Sequence, residues 1–420
     1  MEERAKFVLE YQRGELSMAE LCRRYEVSRQ TGYKWLERHD EGGLAAMADR
    51  SHTPMNRPHA IPERVREALL ALRRKHPSWG PKKLKVVLAK TMPAPAASSI
   101  GELLRREGLV HRKRKRPGGV VPMTTPLAHA EAPNDVWSID YKGWFLTGNE
   151  QRCEPLTITD NASRYLVRLT AMPGIDQQRV RDVMEAAFRE HGLPRAIRSD
   201  NGSPFVTPAP GGLSKLSIWW ARLGIRHERI EPGEPQQNGR HERFHLSLIK
   251  DVLDYRLAWD WRLQQAEFVR YREEFNSLRP HEALGMATPA SVYTPSARPY
   301  PARVPDMEYD SSFYVRRVNW QGRILWRGER VMLSPVLAEE RVALREVDDD
   351  LFEVVFGSMF LGWLDHWTGE FIREEVAQRW ADLIVEKGPG LHCALPFGPP
   401  PDGGDGLRSA PALSFSTAPE

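Results

Sequence analysis

From Asn134 onward the chain alternates between strand-like and helix-like stretches in one fixed order. VWSIDYKGWF (136–145), PLTITD (155–160) and YLVRLTAM (165–172) read as strands. Helical spacing follows over about 176–191, where Val180, Val183, Met184 and Ala187 share one side. RAIRSD (195–200) is then a short strand, LSIWWARL (216–223) a helix and IRHERI (225–230) a further strand. After the turn PGEPQQNG, a long helix runs from about Arg240 to Leu257, with Phe244, Leu248 and Val252 four residues apart. Three strands, a helix, then strand, helix, strand, helix is the signature of an α/β layer architecture.

The flanks differ in kind. At 420 residues the chain is too long for one ordinary core. Residues 3–12 place Phe7, Val8 and Tyr11 on one helical face, and Met18, Leu21, Cys22 and Tyr25 repeat the spacing after Gly14. Ser28 caps a third helix that carries Arg29, Gln30, Thr31, Tyr33 and Lys34. Two helices, a tight turn and a third helix read as a helix-turn-helix over 1–48, and these five residues are base-reading types. An ordinary three-helix bundle with a polar face is the alternative.

Residues 49–61 form a linker, and a second helix-turn-helix-like unit spans 62–110, with Ser98 and Ser99 as candidate caps. A basic linker (111–133) follows. Arg112, Lys113, Arg114, Lys115 and Arg116 belong to a run able to neutralise phosphates without reading sequence. Beyond a core over 134–258 come a helical arm and connector (259–304), short β-rich runs over 305–370 spaced as in a small β-barrel, and a tail (371–420) expected to be partly disordered. The fold class is therefore multidomain, with all-α units first, an α/β core and a small β-barrel.

Composition excludes several classes. Three cysteines without a CxxC pair argue against a disulfide framework or a cysteine-held zinc, and fit a reducing compartment. The charged N-terminus is unlike a signal peptide, and no apolar run approaches the roughly 18–20 residues a bilayer requires. A cytoplasmic, nucleoid-associated protein is expected, with no membrane partner.

Three acids mark the core. Asp140 lies in a strand that must be largely buried, where a bare carboxylate is costly unless something cationic compensates it. Asp200 ends a strand and is followed by the turn Asn201-Gly202. Glu242 lies in the first turn of the long helix. Each has a bland explanation: a surface acid, a turn residue, a charge complementing a helix dipole. Grouped, they suit phosphodiester chemistry, in which two divalent cations held by carboxylates serve the attacking and leaving oxygens.

WSIDYKGWF, IRSDNGSPF and EPQQNGRHERFH resemble, in order, the three catalytic blocks of the DDE transposases and retroviral-type integrases. FNSLRPHEALGMATPASVY resembles the segment that follows the core in bacterial insertion-sequence transposases. The resemblance covers about residues 1–300 and implies a ribonuclease H-like core over 134–258. It also implies metal-dependent cleavage at element ends and strand transfer into target DNA. Asp140, Asp200 and Glu242 would bind two Mg2+ (or Mn2+) ions. The partners it implies are double-stranded DNA, at element ends and target, and further copies of the chain as a homo-oligomer on DNA.

Two departures stand out. There are 41 residues between Asp200 and Glu242, with VTPAPGGLS (206–214) as the extra loop. The basic residue expected seven positions after the glutamate falls at eight, as Lys250, about 80° off the Glu242 direction on an α-helix. Arg198, Asn201, Gln237, Asn238, Arg240 and Lys250 are candidates to order the site or contact DNA.

Rival readings remain. Asp160, in TITDNASRY, competes with Asp140 for the first carboxylate. His241-Glu242-Arg243-Phe244-His245 also matches the HExxH zinc-peptidase signature, with both histidines as ligands and Glu242 as base. That reading leaves Asp140 and Asp200 unexplained and puts Arg243 where such helices are uncharged. His241 and His245 are instead expected on the helix surface, near DNA or metal. A third reading is a DNA-binding protein that keeps the fold without catalysis.

Overall fold

The computed structural model describes residues 2–49, 60–110, 127, 129–231, 235–348 and 351–373. The chain divides into two compact units, Met1–Pro62 and Glu63–Glu420. Residues Arg112 to Arg116 and the tail beyond 373 lie outside the described residues, as does most of the linker over 49–61.

The first unit is three helices, α1 (Glu2–Arg13), α2 (Met18–Arg24) and α3 (Arg29–Gly42), as the spacing predicts. Ser17 and Glu20 form a capping box that starts α2, and the Ser28 hydroxyl accepts the Thr31 N–H at 3.1 Å to start α3. Phe7 meets Tyr25 and Trp35 edge-on, with centroids 5.4 and 5.2 Å apart. The close approach of α3 depends on Gly32. A Cβ there would sit 2.9 Å from Met18 Sδ and 2.9 Å from the Phe7 ring. Gly32→Val should therefore destabilise this unit by about 1–3 kcal/mol through overpacking. The check is loss of its melting transition at lower temperature, and an unchanged transition would contradict the packing argument.

The second unit opens with α4 (Glu63–Lys75), α5 (Pro81–Leu88) and α6 (Ala97–Arg106). Pro81 occupies the first turn of α5, where its missing N–H costs nothing. Helix α6 starts behind Ala96 with no side-chain cap, so Ser98 and Ser99 lie inside it rather than capping it. Leu69, Trp79, Leu84, Leu88, Ile100 and Leu104 form the shared core. Trp79 stacks on His76, whose Nδ1 lies 2.8 Å from Glu274 and so ties these helices to the later helical arm.

The core follows. Strand β1 (Val136–Tyr141) stops at Lys142, and the rest of the expected strand turns away as β2 (Phe145–Leu146), paired with β3 (Arg152–Cys153). Then come β4 (Leu156–Asp160), β5 (Leu166–Thr170), α7 (Gln177–His191), β6 (Ala196–Ser199), α8 (Lys215–Arg222), β7 (Arg226–Arg229) and α9 (Gly239–Leu248). The sheet order is β5-β4-β1-β6-β7. Strand β1 runs antiparallel to β4 and parallel to β6, and β6 runs parallel to β7. Trp137, Ile139, Ile158 and Ile197 pack on one face against α7 and α8.

Helix α9 loosens into a π-turn at Ile249–Leu253, so even α-helical spacing does not extend through Lys250. The arm α10 (Trp261–Ser277) buries Phe268, Tyr271 and Phe275 against Phe244, Leu248 and Val252. The short α11 (Pro289–Val292) leads into a segment fastened to the core. The Asn134 side chain donates to the Thr294 carbonyl and accepts from the Tyr293 hydroxyl.

The C-terminal strands are β8 (Tyr314–Arg317), β9 (Arg323–Trp326), β10 (Glu329–Met332), β11 (Arg341–Asp348), β12 (Leu351–Phe356), β13 (Met359–Asp365) and β14 (Phe371–Arg373). They form an open antiparallel sheet, β14-β13-β12-β11-β8, and a separate β9–β10 ribbon. The expected small β-barrel is thus not closed among the described residues. Turns at 318–323 interrupt the ladder between β8 and β9. Apolar side chains such as Val318, Trp326, Leu344 and Phe352 join the two sheets instead of backbone hydrogen bonds. The extra loop at 206–214 serves as the seat of this sheet, because Ala209 and Leu213 are buried in the same cluster. No described helix is long and apolar enough to cross a membrane.

Candidate active site

Strand alternation decides where Asp140 goes. Trp137 and Ile139 point into the core beneath α7 and α8, so Ser138 and Asp140 take the opposite face, beneath α9. The Asp140 side chain is only 20% exposed. Its register partner on β4 is Thr157. Asp200 follows directly on β6, the parallel neighbour of β1. Its carboxylate accepts the Gly202 N–H at 3.1 Å, and a Cβ at Gly202 would lie 2.9 Å from that carboxylate. A side chain at 202 would therefore push the Asp200 carboxylate out of this position. Glu242 projects from the first turn of α9 toward solvent.

The three acids share one electrostatic field. Asp140 is pushed up to about 7, first by burial, then by the charge of Asp200, and to a lesser degree by that of Glu242. The Tyr141 backbone N–H and Lys142 oppose the shift only in part. Among the described residues no lysine or arginine forms an ion pair with this carboxylate. Its Oδ2 accepts from Asn238 Nδ2 at 3.4 Å and faces His245 Nδ1 at 3.9 Å.

Hydrogen bonding defines the histidines. The Thr157 hydroxyl spends its one proton on the Asp140 carbonyl, at 2.9 Å. It must then accept from both imidazoles, from His241 Nε2 at 2.6 Å and His245 Nε2 at 2.8 Å. His241 Nδ1 accepts from the Thr159 hydroxyl at 2.9 Å. Burial holds His245 down to about 3 and His241 well below its usual value, so both are neutral. In this tautomer the His245 Nδ1 lone pair faces Asp140 and leaves its charge uncompensated.

Several expectations are corrected here. His241 and His245 are buried, not on the helix surface: they continue the inward stripe of Phe244 and Leu248 over β4. Asp140, His241 and His245 offer ligand atoms within 4.8 Å of one another. However, both His241 nitrogens are engaged by threonines, so the zinc-peptidase arrangement does not fit. Asp160, the rival carboxylate, is already occupied: it accepts from the Asn134 N–H and from the Ser163 N–H and hydroxyl at 2.6–2.7 Å. It organises the turn after β4.

Among the residues expected to touch DNA, Asn238 is buried on Asp140 and Arg240 donates to the Asn161 carbonyl at 3.2 Å. Asn201 donates to the Ile230 carbonyl at 2.6 Å, and Lys250 is half-buried. Arg198 is buried against Glu228 at 2.9 Å, which holds β6 to β7. Gln237 accepts the Glu231 N–H and shapes the loop before α9. On α3, Arg29, Gln30, Tyr33 and Lys34 are exposed, while Thr31 is half-buried against Ser28. Thr157 and Thr159 were not singled out from sequence. Their signal was alternation in LTITD, which puts two hydroxyls on the face that α9 covers.

An integrase core domain model matches residues 130–235 and a second matches 223–289. A helix-turn-helix domain model matches 3–55 and a homeodomain-like model 31–104. The chain is 30% identical over 250 residues to the uncharacterized 39.2 kDa protein of insertion element IS476 from Xanthomonas euvesicatoria. That match covers 59% of this chain and 69% of the relative. It is 31% identical over 191 residues to the uncharacterized 31.7 kDa protein of insertion element IS407 from Burkholderia multivorans, covering 46% of this chain and 66% of that one. Among solved structures, the HTLV-2 integrase catalytic core domain in complex with magnesium matches at 16% identity and a TM-score of 0.31, covering 39% of this chain and 99% of that chain. With two integrase core matches, helix-turn-helix matches and these relatives, the chain belongs to the family of insertion-element transposases that carry an integrase core.

Proposed function

We propose that the chain is a DDE-type DNA transposase that cuts element ends and joins them to target DNA by phosphoryl transfer, with Asp140, Asp200 and Glu242 as its catalytic acids. The observation that carries this reading is the uncompensated carboxylate of Asp140, held under α9 in the field of Asp200 and Glu242. Such a cluster is unfavourable by itself and fits a hard divalent cation, which takes oxygen ligands and removes the repulsion. Two ions of the magnesium or manganese type, held by the three acids, would supply charge stabilisation at the attacked phosphate and activate the attacking oxygen.

The protein's own contribution is placement. Asn238 and the β1–β4 register orient Asp140, while the Gly202 turn orients Asp200. The neutral imidazoles fill the space under α9 without competing for the acid's charge. The sheet order, with β1 antiparallel to β4 and parallel to β6, supports a ribonuclease H-like core. Exposed Arg29, Gln30, Tyr33 and Lys34 support end recognition by α3 in the major groove. Double-stranded DNA is the substrate, and a homo-oligomer would hold two ends together.

The test is a joining assay with purified protein, Mg2+ and a duplex ending in the inverted repeats that flank the gene. Asp200→Ala and Glu242→Ala should each abolish cleavage and joining while end binding stays within about twofold, a change of about 0.4 kcal/mol. Joining retained by either variant, or DNA binding without any cleavage by the wild type, refutes the assignment.

A further inference from the structure

The carboxylate cluster leaves two sequence blocks unused, DNASR (160–164) and the RPHEA stretch at 279–283. Both line one cavity of about 700 Å³, separate from the three acids. Thr159 joins the two regions, since it bonds His241 under α9 and also faces this cavity.

Five cations line it: Lys83 from α5, Arg164 from the turn after β4, Arg240 and Arg243 from α9, and Arg279 from the segment after α10. Their local acids are mostly spent. Asp160 is saturated by Asn134 and Ser163, and Glu282 lies 3.5 Å from Lys82. Of the five, only Arg279 makes an ion pair among the described residues, with Asp251. Arg164 and Arg240 both donate to one backbone carbonyl, that of Asn161. Lys83 is half-buried and makes no ion pair or side-chain hydrogen bond among the described residues. Burial and the nearby Arg279 pull its ammonium down to about 8. A cavity that gathers uncompensated cations in this way is an anion site.

We infer that this cavity binds a DNA phosphodiester, with Lys83, Arg164 and Arg243 as its principal contacts, beside the carboxylates and distinct from them. Its volume exceeds what a lone phosphate needs and suits one nucleotide of a strand passing the site. Lys83 makes the second helical unit part of this grip, because it reaches the cavity from α5 while the other walls belong to the core and the segment behind it. The inference rests on the reading that the chain acts on DNA, but not on which residues catalyse.

The experiment uses the full chain, and measures equilibrium binding of a duplex with a single-stranded extension across a salt series, without Mg2+. Lys83→Met and, separately, Arg243→Gln should each lower the salt slope by about one, the signature of one lost phosphate contact. Affinity should fall about fivefold to tenfold. Without DNA, Lys83→Met should melt no lower than wild type, since a repelled charge is gone, and Lys83→Arg should keep the wild-type slope. Arg243 is exposed and serves as the readout if Lys83→Met fails to fold. Unchanged slopes in the folded variants overturn the inference. So does stabilisation of wild type by inorganic pyrophosphate, lost in Lys83→Met, if DNA slopes do not change: the site would then take free phosphates. If Asp140 variants still join DNA while these slopes fall, the catalytic assignment fails and the phosphate site stands.

Discussion

Asp140→Asn is expected to reduce strand transfer by about 10³-fold or more while making the metal-free protein more stable above pH 7. The loss follows from removing a carboxylate that would hold the catalytic metal: about 4 kcal/mol of charge stabilisation corresponds to that factor. The gain follows from the same carboxylate's environment. Its value in the fold, about 7, lies above the ordinary 3.8, because burial and the neighbouring acids disfavour the charge. Folding therefore costs nothing from this group below about pH 4, where the acid is protonated in both states. The penalty grows as pH rises and is complete above about 7, where it reaches about 4 kcal/mol at most. Asparagine never carries it. Unfolding of the two proteins at pH 4 and pH 8 without divalent ions tests this: the variant's advantage should appear at pH 8 and vanish at pH 4. Added Mg2+ should raise the wild type's melting temperature and leave the variant's unchanged. A variant that is less stable at pH 8, or still joins DNA, contradicts the site.

Asp251→Ala is expected to destabilise the second unit by about 3–5 kcal/mol, a far larger effect than a surface ion pair would show. Asp251 sits in the π-turn that ends α9, and its Oδ2 accepts from Arg279 Nη1 at 2.5 Å and from the Tyr271 hydroxyl at 3.4 Å. Both charged side chains are less than a tenth exposed. Arg279 also reaches Ser247 and lies 5.3 Å from the centre of the Phe275 ring. Removing the acid leaves a guanidinium buried with no counter-charge. Replacing both partners, Asp251→Leu with Arg279→Met, should cost much less than either single change, because no charge is then stranded. Urea unfolding of the three variants decides it. A single change costing under about 1 kcal/mol would mean that water reaches the pair.

The two effects concern opposite uses of buried charge. Asp251 is matched by a fixed cation and secures the end of α9 to the segment behind it. Asp140 is left unmatched, a stability cost of the kind that active sites carry for binding something later.

Local rules made much of this legible in the sequence. The succession of strands and helices followed from residue periodicity, and the start of α3 followed from Ser28, since a cap is settled within four residues. Asp140, Asp200 and Glu242 stood out by their suitability for metal-assisted chemistry and by the resemblance of their three sequence blocks to catalytic blocks, not by local rules alone. What lay between elements was decided only in three dimensions. Whether His241 and His245 faced solvent or β4 depended on which side of α9 met the sheet, and a helix with polar residues on several sides does not say. The partner of Asn238, the pairing of Arg198 with Glu228, and the seating of an open C-terminal sheet on the 206–214 loop are contacts between distant segments. Such contacts are set by the packing of whole surfaces, which local sequence spacing does not encode.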